Sequence, residues 1–465
     1  MNRKKTYVTP YDFEGRIPMA QAVPLGLQHV LAMFVGNLTP LLIITGACGI
    51  TGGSDLADLQ VALLQNAMWI AGAVTLIQLF GIGPMGGKVP IIMGTSSGFI
   101  GVFSSVASAM GGGVMAYGAM MGASILGGIF EGVLGIFLKP LRRFFPAVVT
   151  GTVVLSIGLS LIGVGINSFG GGSGAADFGS MENLLLGCLV LVVIIALKHG
   201  TKGITSYSSI LIGIIVGYIA AAVMAAVLPT TGITAEGVEY TKAWVLNWDK
   251  VAKADWFAIP KIVPVPIVFD LRAIIPVMIM FVVTAVETVG DISGVTEGGM
   301  GREATDTELS GGVICDGLGS SIAAVFGVLP NTSFSQNVGL VTMTKVVNRT
   351  ALAAGAVFLI FCGLFPKLAA VVSIMPQSVL GGAAVMMFSS IVVSGIQLIT
   401  KNPVTARSIT IISVALGLGY GIGANSGVLV HLPQPVQLIF GGSGIVPAAL
   451  VAIILNLLLP KEENE

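Results

Sequence analysis

Long apolar runs follow one another from Pro24 to Leu459 with almost no charge inside them. Only 9% of the residues are charged and the mean hydropathy is +0.96, against about 25% charged in an ordinary soluble domain. Hydrocarbon tolerates no unpaired backbone group, so such a chain crosses the bilayer as helices or as a closed barrel. The runs are continuous Ala, Val, Ile, Leu and Gly rather than alternating dyads, which argues against the barrel. They leave no stretch for a separate soluble domain. The first run starts after roughly 20 polar and mixed residues, too far in for a cleavable secretory signal. The expectation is an all-α polytopic protein of the plasma membrane. Its 64 glycines suit helices that approach closely or break within the membrane.

At about 20 apolar residues per span, fourteen segments are expected, near 24–46, 60–81, 89–106, 114–138, 146–166, 183–198, 205–228, 273–295, 309–327, 332–345, 350–370, 377–398, 406–425 and 441–459. The third, ninth and tenth are short and interrupted by Gly and Ser. Cytoplasmic loops should hold the Lys and Arg excess. With the N-terminus inside, Arg3, Lys4 and Lys5 and the loops after every even-numbered span meet that rule: Lys88; Lys139, Arg142 and Arg143; Lys198 and Lys202; Arg302; Lys345 and Arg349; Lys401 and Arg407. Both termini are therefore expected in the cytoplasm, with the 229–272 loop outside.

The chain also repeats. Pro146-Ala147-Val148-Val149-Thr150-Gly151 is similar to Pro376-Gln377-Ser378-Val379-Leu380-Gly381, and Thr95-Ser96 recurs as Thr332-Ser333. Two halves of seven spans must have opposite orientations, the inverted repeat of many secondary transporters. The short segments 89–100 and 330–340 then face each other near the midplane, their half-helix ends aimed at whatever lies between.

Ionisable groups inside spans are functional candidates, because burying one costs at least about 2.5 kcal/mol. Glu287 and Asp291 lie one helical turn apart on one face, and like charges so close repel unless one holds a proton. Asp291 alternatively sits at a solvated helix end. Asp316 reads either as a proton site or as a buried carboxylate bonding backbone amides of a broken helix. His29 reads either as a ligand contact or as a satisfied core residue. Gln336 offers a donor and an acceptor together, which matches the edge of a planar heterocycle. Beside it stand Asn337 and Gly339. In an extended segment Phe334 shares a face with Gln336 and could stack on the ring, or it simply packs. Cys48, Cys188, Cys315 and Cys362 lie in or beside apolar runs without metal-ligand spacing and are expected to be free thiols.

The run Gln336-Asn337-x-Gly339-x-x-x-x-Thr344-Lys345 resembles the signature of the nucleobase–ascorbate transporter family, the xanthine/uracil permeases. So do Gln28-His29-Val30-Leu31-Ala32-Met33-Phe34, Gly94-Thr95-Ser96, Glu287-x-x-Gly290-Asp291 and Asp316-Gly317. The resemblance implies fourteen segments in two inverted repeats, with short strands in segments 3 and 10 holding the substrate. It implies a core domain over 24–138 and 273–372 and a gate domain over 139–228 and 373–459. Residues 1–23 and 460–465 form cytoplasmic tails. It makes Glu287 and Gln336 the groups that grip the base, with backbone near Ser96, Ser97 and Ser335 completing the contact. It also implies a homodimer. Uracil-type members tend to carry Glu at position 336 and His at position 291. Gln336, Asp291 and Asn348-Arg349 thus point to the purine branch, xanthine or urate. Many members have an aromatic residue where Ser97 stands, so that wall is widened here, with Phe99 the nearby ring that could replace it.

The expected function is import of a purine base with a co-transported proton, not enzymatic turnover. Three scattered histidines (29, 199 and 431) and a net charge of zero leave no metal cluster, cofactor motif or nucleic-acid surface. The rivals are a uracil or other nucleobase permease, sodium coupling, or an anion carrier of a related seven-plus-seven fold.

Overall fold

The computed structural model describes residues 8–51, 54–138, 146–172, 174–234, 237–441 and 444–460. Arg3, Lys4, Lys5, Lys139, Arg142 and Arg143, used above for orientation, lie outside these residues, as does the tail from 461 on.

The first half runs α1 (Met19–Ala47), α2 (Ala57–Phe80), β1 (Met93–Thr95), α3 (Ile100–Met110), α4 (Gly113–Ile136), α5 (Ala147–Phe169), α6 (Met181–Gly200), the single turn α7 (Ile204–Tyr207) and α8 (Ser209–Val227). A connecting loop holds a hairpin absent from the sequence reading, β2 (Thr231–Ile233) with β3 (Glu239–Thr241), and α9 (Trp248–Lys253). The second half runs α10 (Leu271–Met300), α11 (Asp306–Val325), β4 (Asn331–Ser333), α12 (Ser335–Thr344), α13 (Arg349–Cys362), α14 (Pro366–Ser373), α15 (Gln377–Ile399), α16 (Ala406–Ala424), α17 (Gln434–Gly441) and α18 (Ile445–Leu458). Among the described residues nine helices are long and apolar enough to cross a membrane. The pair α13–α14, bent by 83°, makes a tenth span if counted as one.

Helix packing carries the repeat. α4 lies on α11 as α2 lies on α13, and α4 also meets α10 as α1 meets α13. α6 packs on α8 as α16 packs on α18, while α5 and α15 pack on each other. Each pairing becomes its counterpart when the halves are exchanged.

The strands meet at the centre of this arrangement. β1 pairs antiparallel with β4, Met93 opposite Ser333 and Thr95 opposite Asn331. The ladder continues through Phe334 N–H to Ile92 O at 3.0 Å and Ser96 N–H to Pro330 O at 2.8 Å. Pro90 and Pro330 precede the two strands, where a missing N–H and a restricted preceding residue stop a helix running through. Helices α3 and α12 start a few residues beyond each strand, so two helix N-termini and their partial positive charge lie beside the pairing.

Segment nine differs from expectation. α11 is an unbroken helix, started by a capping box between Thr305 and Glu308. Its glycines serve packing rather than breakage. A Cβ on Gly317 would stand 2.5 Å from Gly128 O, and one on Gly128 would stand 2.3 Å from Gly317 O, so α4 and α11 touch backbone to backbone. The four cysteines are free, with Cys188 exposed and the others buried.

Forcing α4 from α11 should be costly, since overpacking costs roughly 1–3 kcal/mol. Gly128→Ala is expected to lower the melting midpoint of the detergent-solubilised protein by several degrees, as read by tryptophan fluorescence or size-exclusion survival. Gly417→Ala, whose Cβ would meet nothing within 4 Å, should leave the midpoint unchanged.

Candidate functional site

Thr284, Glu287, Thr288 and Asp291 form one buried stripe on α10, spaced so that they share a face. Asp291 lies well inside the helix and is 4% exposed, which removes the solvated-end alternative. Its Oδ2 accepts from Ser333 Oγ at 2.6 Å and Ser335 Oγ at 3.0 Å. Glu287 lies one turn before Asp291 on the same buried face, and its Oε2 has no partner among the described residues. Asp316 on α11 accepts from the hydroxyls of Thr288 and Thr332 rather than from backbone amides. Its Oδ1 is likewise unpartnered among the described residues.

A fourth carboxyl completes the group. Glu131 on α4 is 0% exposed and accepts from Thr284 Oγ1 at 3.0 Å. Asp316 and Glu287 both act on it electrostatically. Glu131 escaped the sequence reading, although a lone carboxylate in Gly128-Ile129-Phe130-Glu131-Gly132-Val133 satisfies the same intramembrane rule that selected Glu287. Among the described residues no Lys or Arg forms an ion pair with any of the four.

Polar residues of the signature divide by face, because Ser335–Thr344 is helical rather than extended. Thr342 and Val341 pack against Gly298 and Gly299 of α10, and Val338 against Gly294. On another side the Asn337 amide donates to His29 O at 3.3 Å and lies 3.5 Å from His29 Nδ1, so both residues are mutually engaged within the protein. Gln336 is half-buried, and Gly339 and Met343 on the same stripe are exposed. The Gln336 side chain is not tied to another residue among those described.

Two aromatic expectations change. With the helix starting at Ser335, Phe334 and Gln336 do not share an extended face. Phe334 is 5% exposed and fills the space that two glycines leave: a Cβ on Gly36 or Gly94 would come within 2.8 or 2.9 Å of its ring. Phe99 is also spent on packing, with ring centroids 4.8 Å from Phe281 and 5.4 Å from Phe103. Ser97 is half-buried at the entry to α3 and Ser96 is buried, its Oγ accepting from Gly98 N–H at 3.3 Å. Asn348 and Arg349, read as a branch marker, anchor the segment that precedes α1. The Asn348 amide donates to Asp12 O at 2.8 Å, and Arg349 pairs with Glu14 at 2.6 Å while lying over the Phe13 ring. A cleft of about 1080 Å³ opens there, lined by Asp12, Lys88, Arg302 and Arg349 among others and by none of the four clustered carboxyls.

Residues 20–426 match the model of a permease family, Xan_ur_permease. The xanthine permease XanP of Escherichia coli (strain K12) is 33% identical over 471 aligned residues, covering 98% of this chain and 95% of XanP. The uric acid permease PucK of Bacillus subtilis (strain 168) is 32% identical over 446 residues, covering 94% of this chain and 95% of PucK. Among solved structures, the transmembrane domain of the cyanobacterial bicarbonate transporter BicA superposes with a TM-score of 0.51 at 15% identity, over 95% of this chain and 98% of that one; this is a likeness of fold. An inverted-repeat helical architecture, a paired strand crossing between two helix N-termini and a family match over most of the chain agree: this multi-pass membrane protein belongs to the xanthine/uracil permease family and is a transporter rather than an enzyme.

Proposed function

We propose that this permease imports a purine nucleobase, xanthine or urate, together with a proton, by alternating access. The observation that carries the reading is the free amide of Gln336 on the open side of α12, one residue from Ser335, which bonds Asp291 one turn from Glu287. Glu287 and Gln336 grip complementary edges of the base. Backbone near Ser96, Ser97 and Ser335 meets the remaining edge, at two helix N-termini that favour partial negative charge. Phe334 and His29 shape the wall from behind, and Asn337 fixes α12 against α1. The relatives XanP and PucK, named for xanthine and uric acid, support a purine as cargo. An anion carrier would favour a basic group at this point, and the site offers carboxyls instead.

The proton resides on the carboxyl cluster of Glu287, Asp291 and Asp316. Protonation removes a charge that a low-dielectric interior would resist carrying through the cycle. Core segments (24–138 and 273–372) move against gate segments (139–228 and 373–459). The Lys401–Glu297 ion pair at 2.5 Å joins the two on one side. The protein sits in the plasma membrane with both termini cytoplasmic, as a homodimer.

Glu287→Gln keeps the shape but removes the ionisable group. It should lower kcat/KM for labelled xanthine by at least about tenfold, or about 1.4 kcal/mol of transition-state stabilisation, and abolish accumulation driven by an acid exterior. Wild-type accumulation with undiminished pH dependence would refute the role of Glu287.

The open stripe of α12 gives a second test. A cysteine at Gly339 has free space around it and should react with a small water-soluble maleimide, with xanthine slowing the reaction. Labelling that is indifferent to saturating xanthine and urate would place the path of the base elsewhere.

A further inference from the structure

We propose that Glu131 of α4 is a proton-bearing member of the transport site, at one end of a row of hydroxyls and carboxyls along the α10 face that carries Glu287. The proposal rests on the proton-symport reading above. The row is built from short side-chain contacts. Ser335 and Ser333 both bond Asp291, at 3.0 and 2.6 Å, one turn from Glu287 on α10, and Ser333 Oγ lies 3.5 Å from Thr288 Oγ1. Thr288 bonds Asp316. One turn along the same face of α10, Thr284 bonds Glu131 at 3.0 Å. Hydroxyls both donate and accept, so each bonded carboxyl can gain or lose a proton and keep its partner.

Glu131 joins α4 to α10 through one oxygen and keeps the other open. It is fully buried, yet only Oε1 has a donor; Oε2 has none among the described residues, and neither has Asp316 Oδ1. The charged or titratable groups acting on it from the packed elements are Asp316 of α11 and Glu287 of α10, with Asp291 of α10 one turn beyond Glu287. The step is a simple one: Oε2 takes one proton to form an O–H bond, then yields that proton to a neighbouring carboxylate, with no other bond changed. Glu131 thereby gives the cluster a reserve site that does not touch the base, so substrate binding and proton loading can be separated.

The test uses the full chain in proteoliposomes with labelled xanthine. Counterflow without a pH gradient reads binding and reorientation; uptake against a one-unit gradient, acid outside, reads coupling. In Glu131→Gln, counterflow KM should stay within about threefold, while gradient-driven accumulation falls toward equilibrium, a loss of up to about tenfold for one unit. The pH profile of counterflow should flatten. Glu131→Asp should restore part of both, and Thr284→Val should shift the profile in the same direction as Glu131→Gln. Wild-type accumulation and pH profile in Glu131→Gln would overturn the proposal. So would a parallel loss of counterflow and accumulation that Glu131→Asp fails to relieve, since that marks a structural role. Should Glu131→Gln not reach the membrane, unaltered profiles in Glu131→Asp and Thr284→Val overturn it equally. Wild-type protein that exchanges xanthine but ignores the gradient refutes the symport reading itself, a result distinct from failure of the variants alone.

Discussion

Six residues in two strands hold the centre of this protein. Extended backbone within hydrocarbon is tolerable only if its polar groups are paired, and β1 and β4, from opposite halves of the chain, pair with each other. Everything around the site follows from that exchange. It lets α3 and α12 begin inside the protein, presenting their N-termini beside the strands. It brings Ser333 and Ser335 within reach of Asp291. The surrounding helices can close around so narrow an element because glycine replaces side chains where backbones meet, as at Gly128 and Gly317.

The second constraint is electrostatic. Four carboxyls from three helices converge without a Lys or Arg ion pair among the described residues. Buried charges are ordinarily paired or bonded by several donors. Here the donors are hydroxyls of Thr284, Thr288, Thr332, Ser333 and Ser335, which hold the carboxyls in place while oxygens of Glu131, Glu287 and Asp316 have no partner among the described residues. A cation would fix the charge state; hydroxyls leave it free to change.

Glu287, Asp291 and Asp316 were legible from sequence because a carboxylate inside an apolar run announces itself whatever its neighbours. Glu131 carried the same signal and was passed over, since it stands alone rather than in a recognisable motif. The roles of Phe334, Phe99, Asn337 and His29 were not legible. Whether an aromatic ring faces a cavity or a glycine depends on the opposing helix, and the ring of Phe334 found Gly36 and Gly94. The glycines of α11 misled for a related reason: a glycine marks a break or a close approach with equal force until its neighbour is known.

Composition and the spacing of apolar runs determined that this chain is a bundle of membrane helices in two related halves, because the cost of unpaired backbone in lipid allows few alternatives. They also marked the third and tenth segments as broken, through prolines and small residues placed at matching points in each half. Only the tertiary structure decided that the breaks pair as strands, that α12 divides its polar residues among three faces, and that Glu131 joins carboxyls from two other helices. Those outcomes depend on contacts between residues tens to hundreds of positions apart, and a contact across such a distance leaves no periodicity in the chain.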